Sequence, residues 1–256
     1  VYLEEIVAAH RRAAAADERR LGDLLKQSEG LDAPRGFAER LRREDHLSVV
    51  AEIKRRSPSK GDLNPGLNPE LMAVAYAEGG AACLSVLTDE EFFGGSTVDL
   101  VAARRAVLVP VLRKDFTVTA LDVLDARLMG ADCVLLIAAV LSDDELRSFH
   151  ALATDIGLDA LVEIHDDEEL DRALSVGAGL IGVNQRDLRT FQVDQERAVR
   201  LATSIPSSAV RVAESGVRGR ADAVELRNAG YDAVLVGESI VTSGSPESAV
   251  RDLLVP

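Results

Sequence analysis

Short runs dense in Val, Leu and Ile recur along the chain: SVVAEI (48–53), ACLSVL (82–87), VPVLR (109–113), CVLLIAA (133–139), ALVEI (160–164), LIGVN (180–184), VRVAE (210–214) and AVLVG (233–237). Each is almost continuously apolar rather than alternating, the pattern of parallel strands covered on both faces. Between them lie segments with helical spacing, such as ALDVLDARLMG and ADAVELRNAG. A glycine precedes the strand in AEGGAACLSVL, RLMGADCVLLI, TDIGLDALVEI, SVGAGLIGV and NAGYDAVLV, where it supplies the left-handed conformation that ends a helix. From Gly80 to Gly230 the returns average about 25 residues, the period of a βα unit, although the units before VPVLR and VRVAE lack the glycine.

Eight such units predict an α/β fold, a (β/α)8 TIM barrel, with an open doubly wound sheet as the weaker alternative. No GxGxxG or GxxxxGKS/T follows a strand, which lowers that alternative further. Helix starts carry recognisable chemistry: Ser142-Asp143-Asp144-Glu145 reads as a capping box, and Asn68-Pro69-Glu70 as a cap followed by an N1 proline. Residues 1–47 precede the first strand and read as one helix around Leu3 to Leu25 and another around Gly36 to Arg43. Too short for a separate domain, they predict a helical N-terminal extension packed on a barrel of residues 48–256, the whole of 1–256 forming one domain. The sequence leaves open which end of the barrel the extension covers.

Composition narrows the function classes. The 256 residues carry 43 acidic against 29 basic side chains, a formal net charge of −14, which disfavours a nucleic-acid-coating surface. No apolar run approaches the roughly 18 residues of a membrane span, and the first residues are charged and helical rather than a cleavable leader. Cys83 and Cys133 sit in apolar stretches, as buried reduced thiols of a cytoplasmic protein would. There is no tryptophan.

A barrel of this kind assembles its active site at the C-terminal ends of the strands. Those ends supply Glu52 and Lys54, then Lys114, Glu163, Asn184 with Arg186, and Glu214 with Ser215. Glu52 and Lys54 are two apart and so point to one face. One strand-end charge is an ordinary ion-pair partner; five strands ending in charge predict a catalytic mouth. The polar connection Ser57-Pro58-Ser59-Lys60-Gly61-Asp62-Leu63-Asn64-Pro65-Gly66 follows the first strand as a lid would. Ser215-Gly216 and Gly237-Glu238-Ser239 offer close backbone approach at helix starts, where barrels commonly hold a phosphate. In EIHDDEE the acids read as a helix start and not a metal cluster, and His10, His46 and His150 lack a partner pattern. TDEEFFGGS reads equally as a substrate loop or as a solvated turn with Phe92 and Phe93 tucked inward.

Taken together, AEIKRRSPSKG, LSVLTDEEFFGGS, PVLRKDF, LVEIHDDEEL, IGVNQRDL, VAESGV and VLVGES resemble the indole-3-glycerol-phosphate synthase family. The resemblance spans about residues 1–256 and implies a barrel without metal or organic cofactor. The implied reaction is a step of tryptophan biosynthesis, conversion of 1-(2-carboxyphenylamino)-1-deoxyribulose 5-phosphate into indole-3-glycerol phosphate, carbon dioxide and water. It also implies a catalytic set of Lys114, Glu163, Glu52, Lys54, Asn184 and Ser215. Lys114 would be the acid for ring closure, Glu163 the acid for hydroxyl loss, and Glu52 a base or the orienter of Lys54, while Asn184 would hydrogen-bond substrate or Lys114. Ser57, Arg186, Glu214, Gly216, Gly237 and Glu238 would contact substrate. Gln185, where many relatives carry a small residue, is expected to affect local packing only. The implied partner is the small phosphosugar-anthranilate substrate, with no nucleic acid and no membrane. The protein is expected to be a cytoplasmic monomer, open to weak association with neighbouring pathway enzymes. Two rival functions on the same barrel are an aminoaldose-to-ketose isomerase, disfavoured by Glu52 and Lys54 where that chemistry uses a thiol, and a silent phosphosugar-binding protein.

Overall fold

The eight apolar runs form eight parallel strands in a computed structural model that describes residues 2–42, 45–187 and 190–256. They are β1 (Ser48–Ile53), β2 (Cys83–Leu87), β3 (Val111–Lys114), β4 (Cys133–Ile137), β5 (Asp159–Ile164), β6 (Leu180–Asn184), β7 (Val210–Glu214) and β8 (Ala233–Val236). Each pairs with its sequence neighbours, and β8 pairs with β1 with Ser48 opposite Ala233, so the sheet closes and the open-sheet alternative falls. Nearly every strand residue is buried, as a barrel wrapped by helices demands.

The outer helices are α4 (Pro69–Glu78), α5 (Thr97–Ala106), α6 (Ala120–Leu128), α7 (Asp143–Asp155), α8 (Asp167–Ser175), α9 (Glu196–Ala202), α10 (Arg220–Asn228), α11 (Glu238–Val241) and α12 (Pro246–Leu253). Ser142 and Glu145 close the capping box of α7, and Asn68 caps α4 with Pro69 at its start. Gly80, Gly130, Gly157, Gly177 and Gly230, the glycines before strands, all have positive φ between 77° and 98°.

The extension differs from the sequence reading in two ways. The long first helix is two, α1 (Tyr2–Ala15) and α2 (Leu21–Ser28), followed by α3 (Phe37–Arg42); Arg43 lies outside the described residues. The break falls after Ala15, at Ala16 and the polar residues 17–20, where Asp17 binds Arg19 and Arg19 reaches Asp125 on α6. Its two apolar sets face different neighbours, since α2 packs on α6 while α1 reaches the C-terminal end of the barrel, where His10 meets Asp89. The extension therefore covers both ends. At the base, Phe37 and Leu41 of α3 enter the barrel interior against Val50, Cys83, Leu112, Cys133 and Val210. Among the described residues no helix is long and apolar enough to cross a membrane.

Beneath the junction glycines lies a second repeat. Asp132, Asp159 and Asp232 each stand two residues after one of them and each turns its carboxylate to backbone amides at the base. Asp132 accepts from Arg35 N and Val111 N, both at 2.8 Å, and pairs with Arg104; Asp159 accepts from Phe37 N and Ala38 N; Asp232 accepts from Arg211 N.

Candidate active site

At the opposite end the strand tips and their loops enclose a cavity of about 790 Å³. All twelve residues singled out from the sequence line it: Glu52, Lys54, Ser57, Lys114, Glu163, Asn184, Arg186, Glu214, Ser215, Gly216, Gly237 and Glu238.

Its floor is a charge cluster. Lys114, the last residue of β3, places Nζ 3.4 Å from Glu163 Oε2 and 3.8 Å from Glu214 Oε2. Glu52 Oε1 accepts from Lys54 Nζ at 2.5 Å, and its other oxygen accepts from Ser85 Oγ at 3.4 Å. Asn184 donates Nδ2 to Glu163 Oε1 at 3.1 Å and accepts Arg186 N through Oδ1 at 3.0 Å. In the described contacts Asn184 thus holds Glu163 rather than Lys114. The strand ends at Asn184, and Arg186 belongs to a bridge with Val193 instead of sharing a strand face with it.

Burial would neutralise each of these groups, and the neighbours decide which stay charged. Burial opposes ionisation of Glu52, but Lys54 and Lys114 overcome it and hold the carboxyl below its ordinary range. Glu163 is likewise held low against burial, by Lys114, His165 and the Asn184 amide. Lys114 stays firmly cationic because Glu163, Glu214 and Glu52 outweigh its desolvation. Glu214 goes the other way: burial and the adjacent Glu163 push it well above the carboxylate range, with Lys114 only partly offsetting them. The floor therefore sets two carboxyls held low, Glu52 and Glu163, against one held high, Glu214, around the Lys114 ammonium.

Two glycines make room for it. A Cβ on Gly182, in the middle of β6, would lie 2.0 Å from Glu214 Oε1, and one on Gly237 would lie 2.5 Å from Glu52 Oε1. Gly182 was legible as a glycine inside a strand, which marks a close approach.

The rim divides by strand. Along β2, β3 and β4 it gathers apolar side chains, Phe93, Phe116, Leu135 and Ile137, beside Asp89 and Asp115, joined by Pro58 from the loop after β1; the two phenyl rings are 6.4 Å apart. Phe93 thus faces the cavity, held by Asp89, which accepts the amides of Phe92 and Phe93 and binds His10. Beyond β7 and β8 it is polar backbone. Ser215 and Gly216 have φ of 65° and 73°, a left-handed turn that costs a serine on the order of 1–2 kcal/mol. This turn stands ahead of α10 and does not open it, whereas Gly237 does precede α11. Gln185 is buried and donates to Ser215 O at 2.8 Å, and Gln195 donates to Gly216 O at 3.1 Å. Gln185 is thus a strut of the turn and more than local packing. Leu188, the end of the IGVNQRDL string, lies outside the described residues.

The connection after β1 carries a ribbon of Arg56–Ser57 paired with Gly61–Asp62, and Ser57 to Lys60 lie over the cavity. Lys60 Nζ is 3.5 Å from one oxygen of Glu238 and Arg186 Nη2 is 3.8 Å from the other. In EIHDDEE, Asp166 caps α8 and the next three acids fill its first turn.

A family model described as indole-3-glycerol phosphate synthase matches residues 3–253. The chain is 48% identical over 251 residues to an indole-3-glycerol phosphate synthase of Nocardioides sp., covering 97% of this chain and 96% of that one. Identity is 47% over 254 residues to the enzyme of that name from Mycolicibacterium smegmatis, covering 98% and 93%. Among solved structures, a thiamine phosphate pyrophosphorylase from Pyrococcus furiosus superposes with a TM-score of 0.59 at 18% identity, over 81% of this chain and 93% of that one, a likeness of fold alone.

Proposed function

The chain belongs to the indole-3-glycerol phosphate synthase family, carboxy-lyases of tryptophan biosynthesis, and from that premise we propose how its mouth divides the reaction. The supporting observation is the meeting of Glu163 and Glu214 on one ammonium, Lys114, at the floor of a cavity that is apolar on one side and polar on the other.

Ring closure needs a proton on the ketone oxygen while the anilino ring carbon attacks. Lys114 is the buried cation available, and it gives that proton. Lys54, carried beside Glu52, faces the substrate carboxylate until it leaves as carbon dioxide. Dehydration then needs an acid for the departing hydroxyl and a base for the proton lost as the pyrrole ring becomes aromatic. Glu163 is the acid, and because it rests as a carboxylate it must first gain a proton. Glu52 is the base, with Lys54 as its counter-ion. Glu214, neutral at rest, hydrogen-bonds the sugar hydroxyl or the anilino nitrogen.

The aryl ring lies against Phe93, Phe116 and Leu135, and the phosphate lies across the barrel at Ser215, Gly216 and Gly237, with Ser57 and Arg186 beside it. A carboxylate repels a phosphate, so Glu238 contributes through its backbone N–H, and the phosphate takes over the cations Lys60 and Arg186 that Glu238 now holds. Residues 1–256 act as one domain, because the extension supplies a base plug and, through His10, a prop for Asp89 of the mouth. Free, buried Cys83 and Cys133 support a reducing, cytoplasmic setting.

The test is incubation of the purified protein with the carboxyphenylamino substrate while following indole fluorescence, against a chain that has no tryptophan. Absence of turnover by folded protein overturns the proposal. Isomerisation of phosphoribosylanthranilate, or binding without turnover, assigns one of the two rivals instead.

A further inference from the structure

Besides Lys114 and Glu214, Glu163 has a further titratable neighbour, which faces its other oxygen from the one that Lys114 approaches. His165 follows β5 directly, and two contacts to one oxygen fix it: its Nδ1 lies 3.0 Å from Glu169 Oε2 on α8, and its backbone N–H donates to that oxygen at 2.8 Å. The other ring nitrogen, Nε2, is buried, has no hydrogen-bond partner among the described residues, and stands 3.7 Å from Glu163 Oε1. The ring does not line the cavity.

An imidazole that donates through Nδ1 and is otherwise neutral would set an Nε2 lone pair against a carboxylate in a buried place, which is unfavourable. The imidazolium places an N–H there instead. Burial works against that charged form, and so does Arg197 on α9, but Glu169 and Glu163 carry the balance toward it. These groups, with Lys114 beyond Glu163, are the charges that face the ring from β5, α8, α9 and β3.

We propose that His165 is the positioning residue that reloads Glu163 with the proton it spends in hydroxyl loss. The Nε2–H bond breaks as an Oε1–H bond forms, after an approach of under about 1 Å to hydrogen-bond distance. The imidazolium becomes a neutral imidazole still anchored by Nδ1–H to Glu169; it is reprotonated from solvent, which receives in turn the proton that Glu52 takes from the substrate ring, so the cycle is neutral in protons. No electrons change hands. This inference rests on Glu163 being the acid of dehydration.

The experiment combines kinetics with a direct titration of the ring. Wild-type turnover comes first, since its absence would remove the assigned reaction and not the ring geometry. His165→Asn is expected to lower kcat about 10-fold or more with KM within about twofold. The fall of kcat on the alkaline side, where wild type loses the imidazolium, is expected to disappear. Independently, the His165 ring resonance, identified by its loss in His165→Asn, is followed against pH in wild type and Glu163→Gln. Its midpoint is expected to fall by about one unit, tenfold in proton affinity, once the facing charge is gone. An active wild type with an unchanged kcat profile in folded His165→Asn, or an unmoved midpoint in Glu163→Gln, overturns the inference. If His165→Asn does not fold, Glu169→Gln takes its place, with the same expected loss of kcat and the resonance assigned by elimination of His10, His46 and His150.

Discussion

Both ends of this barrel draw carboxylates in from solvent, Asp132 fully and Asp159 and Asp232 by half at the base, and they treat them in opposite ways. At the base, Asp132, Asp159 and Asp232 spend their oxygens on backbone amides of strands and of the extension, and Arg104 joins Asp132. At the mouth, neither Glu214 Oε1 nor His165 Nε2 has a hydrogen-bond partner among the described residues, and Ser215 is held in a left-handed conformation. Satisfied carboxylates are stability; crowded and under-satisfied ones are reactivity held in reserve. Glu214 is pushed toward its neutral form because burial and the adjacent Glu163 outweigh the pull of Lys114.

That contrast can be broken most forcefully at Lys114. Lys114→Ala should lower kcat by about 10³-fold or more while leaving substrate binding measurable by equilibrium titration, because it removes the acid and the charge that the floor is built around. The corresponding change at the base is Asp132→Ala. It strands two amides and Arg104, and should cost about 3 kcal/mol in urea denaturation, with kcat of the folded fraction unchanged. Glu214→Gln separates the ends by sign. A carboxyl whose folded pKa is raised gives its full stability below the ordinary value of 4.5 and loses it as pH rises, so wild type carries a penalty at neutral pH that the variant lacks. The variant's Tm should match wild type near pH 4 and exceed it at pH 8; equal values throughout would mean that Glu214 is charged at rest. The smallest expected effect is at the strut. Gln185→Ala should raise KM about 2- to 10-fold, the worth of one hydrogen bond, with little change in kcat.

Much of this was readable before any coordinates. Continuous apolar runs and periodic glycines predict all eight strands, because a strand covered on both faces has few other ways to be written. The mouth residues were readable too, since strand ends are where a barrel puts its chemistry. What escaped was whatever depends on contacts between segments far apart in sequence. His10 shows no local partner pattern, yet it meets Asp89 across 79 positions. Gln185 sits in a strand end like any other residue until the next loop folds against it. The upward push on Glu214 comes from burial and from Glu163 and Glu52 on two other strands, against the pull of Lys114 on a third, which no single segment records. The aspartates two residues beyond the junction glycines stand in the sequence, but their amide partners lie on neighbouring strands and on the extension, which local pattern does not record.

The extension has a consequence for synthesis. Arg11 binds Glu145, Arg35 the amide-binding Asp132, Phe37 the carboxylate of Asp159, and Arg42 the carbonyl of Ser208. Those partners lie 97 to 166 positions later in the chain. As the chain leaves the ribosome, the base plug is therefore made before the barrel it will close. Phe37 and Leu41 must wait in solvent or in a chaperone's keeping until β7 has emerged, and closure of the barrel and seating of its plug become a single late event.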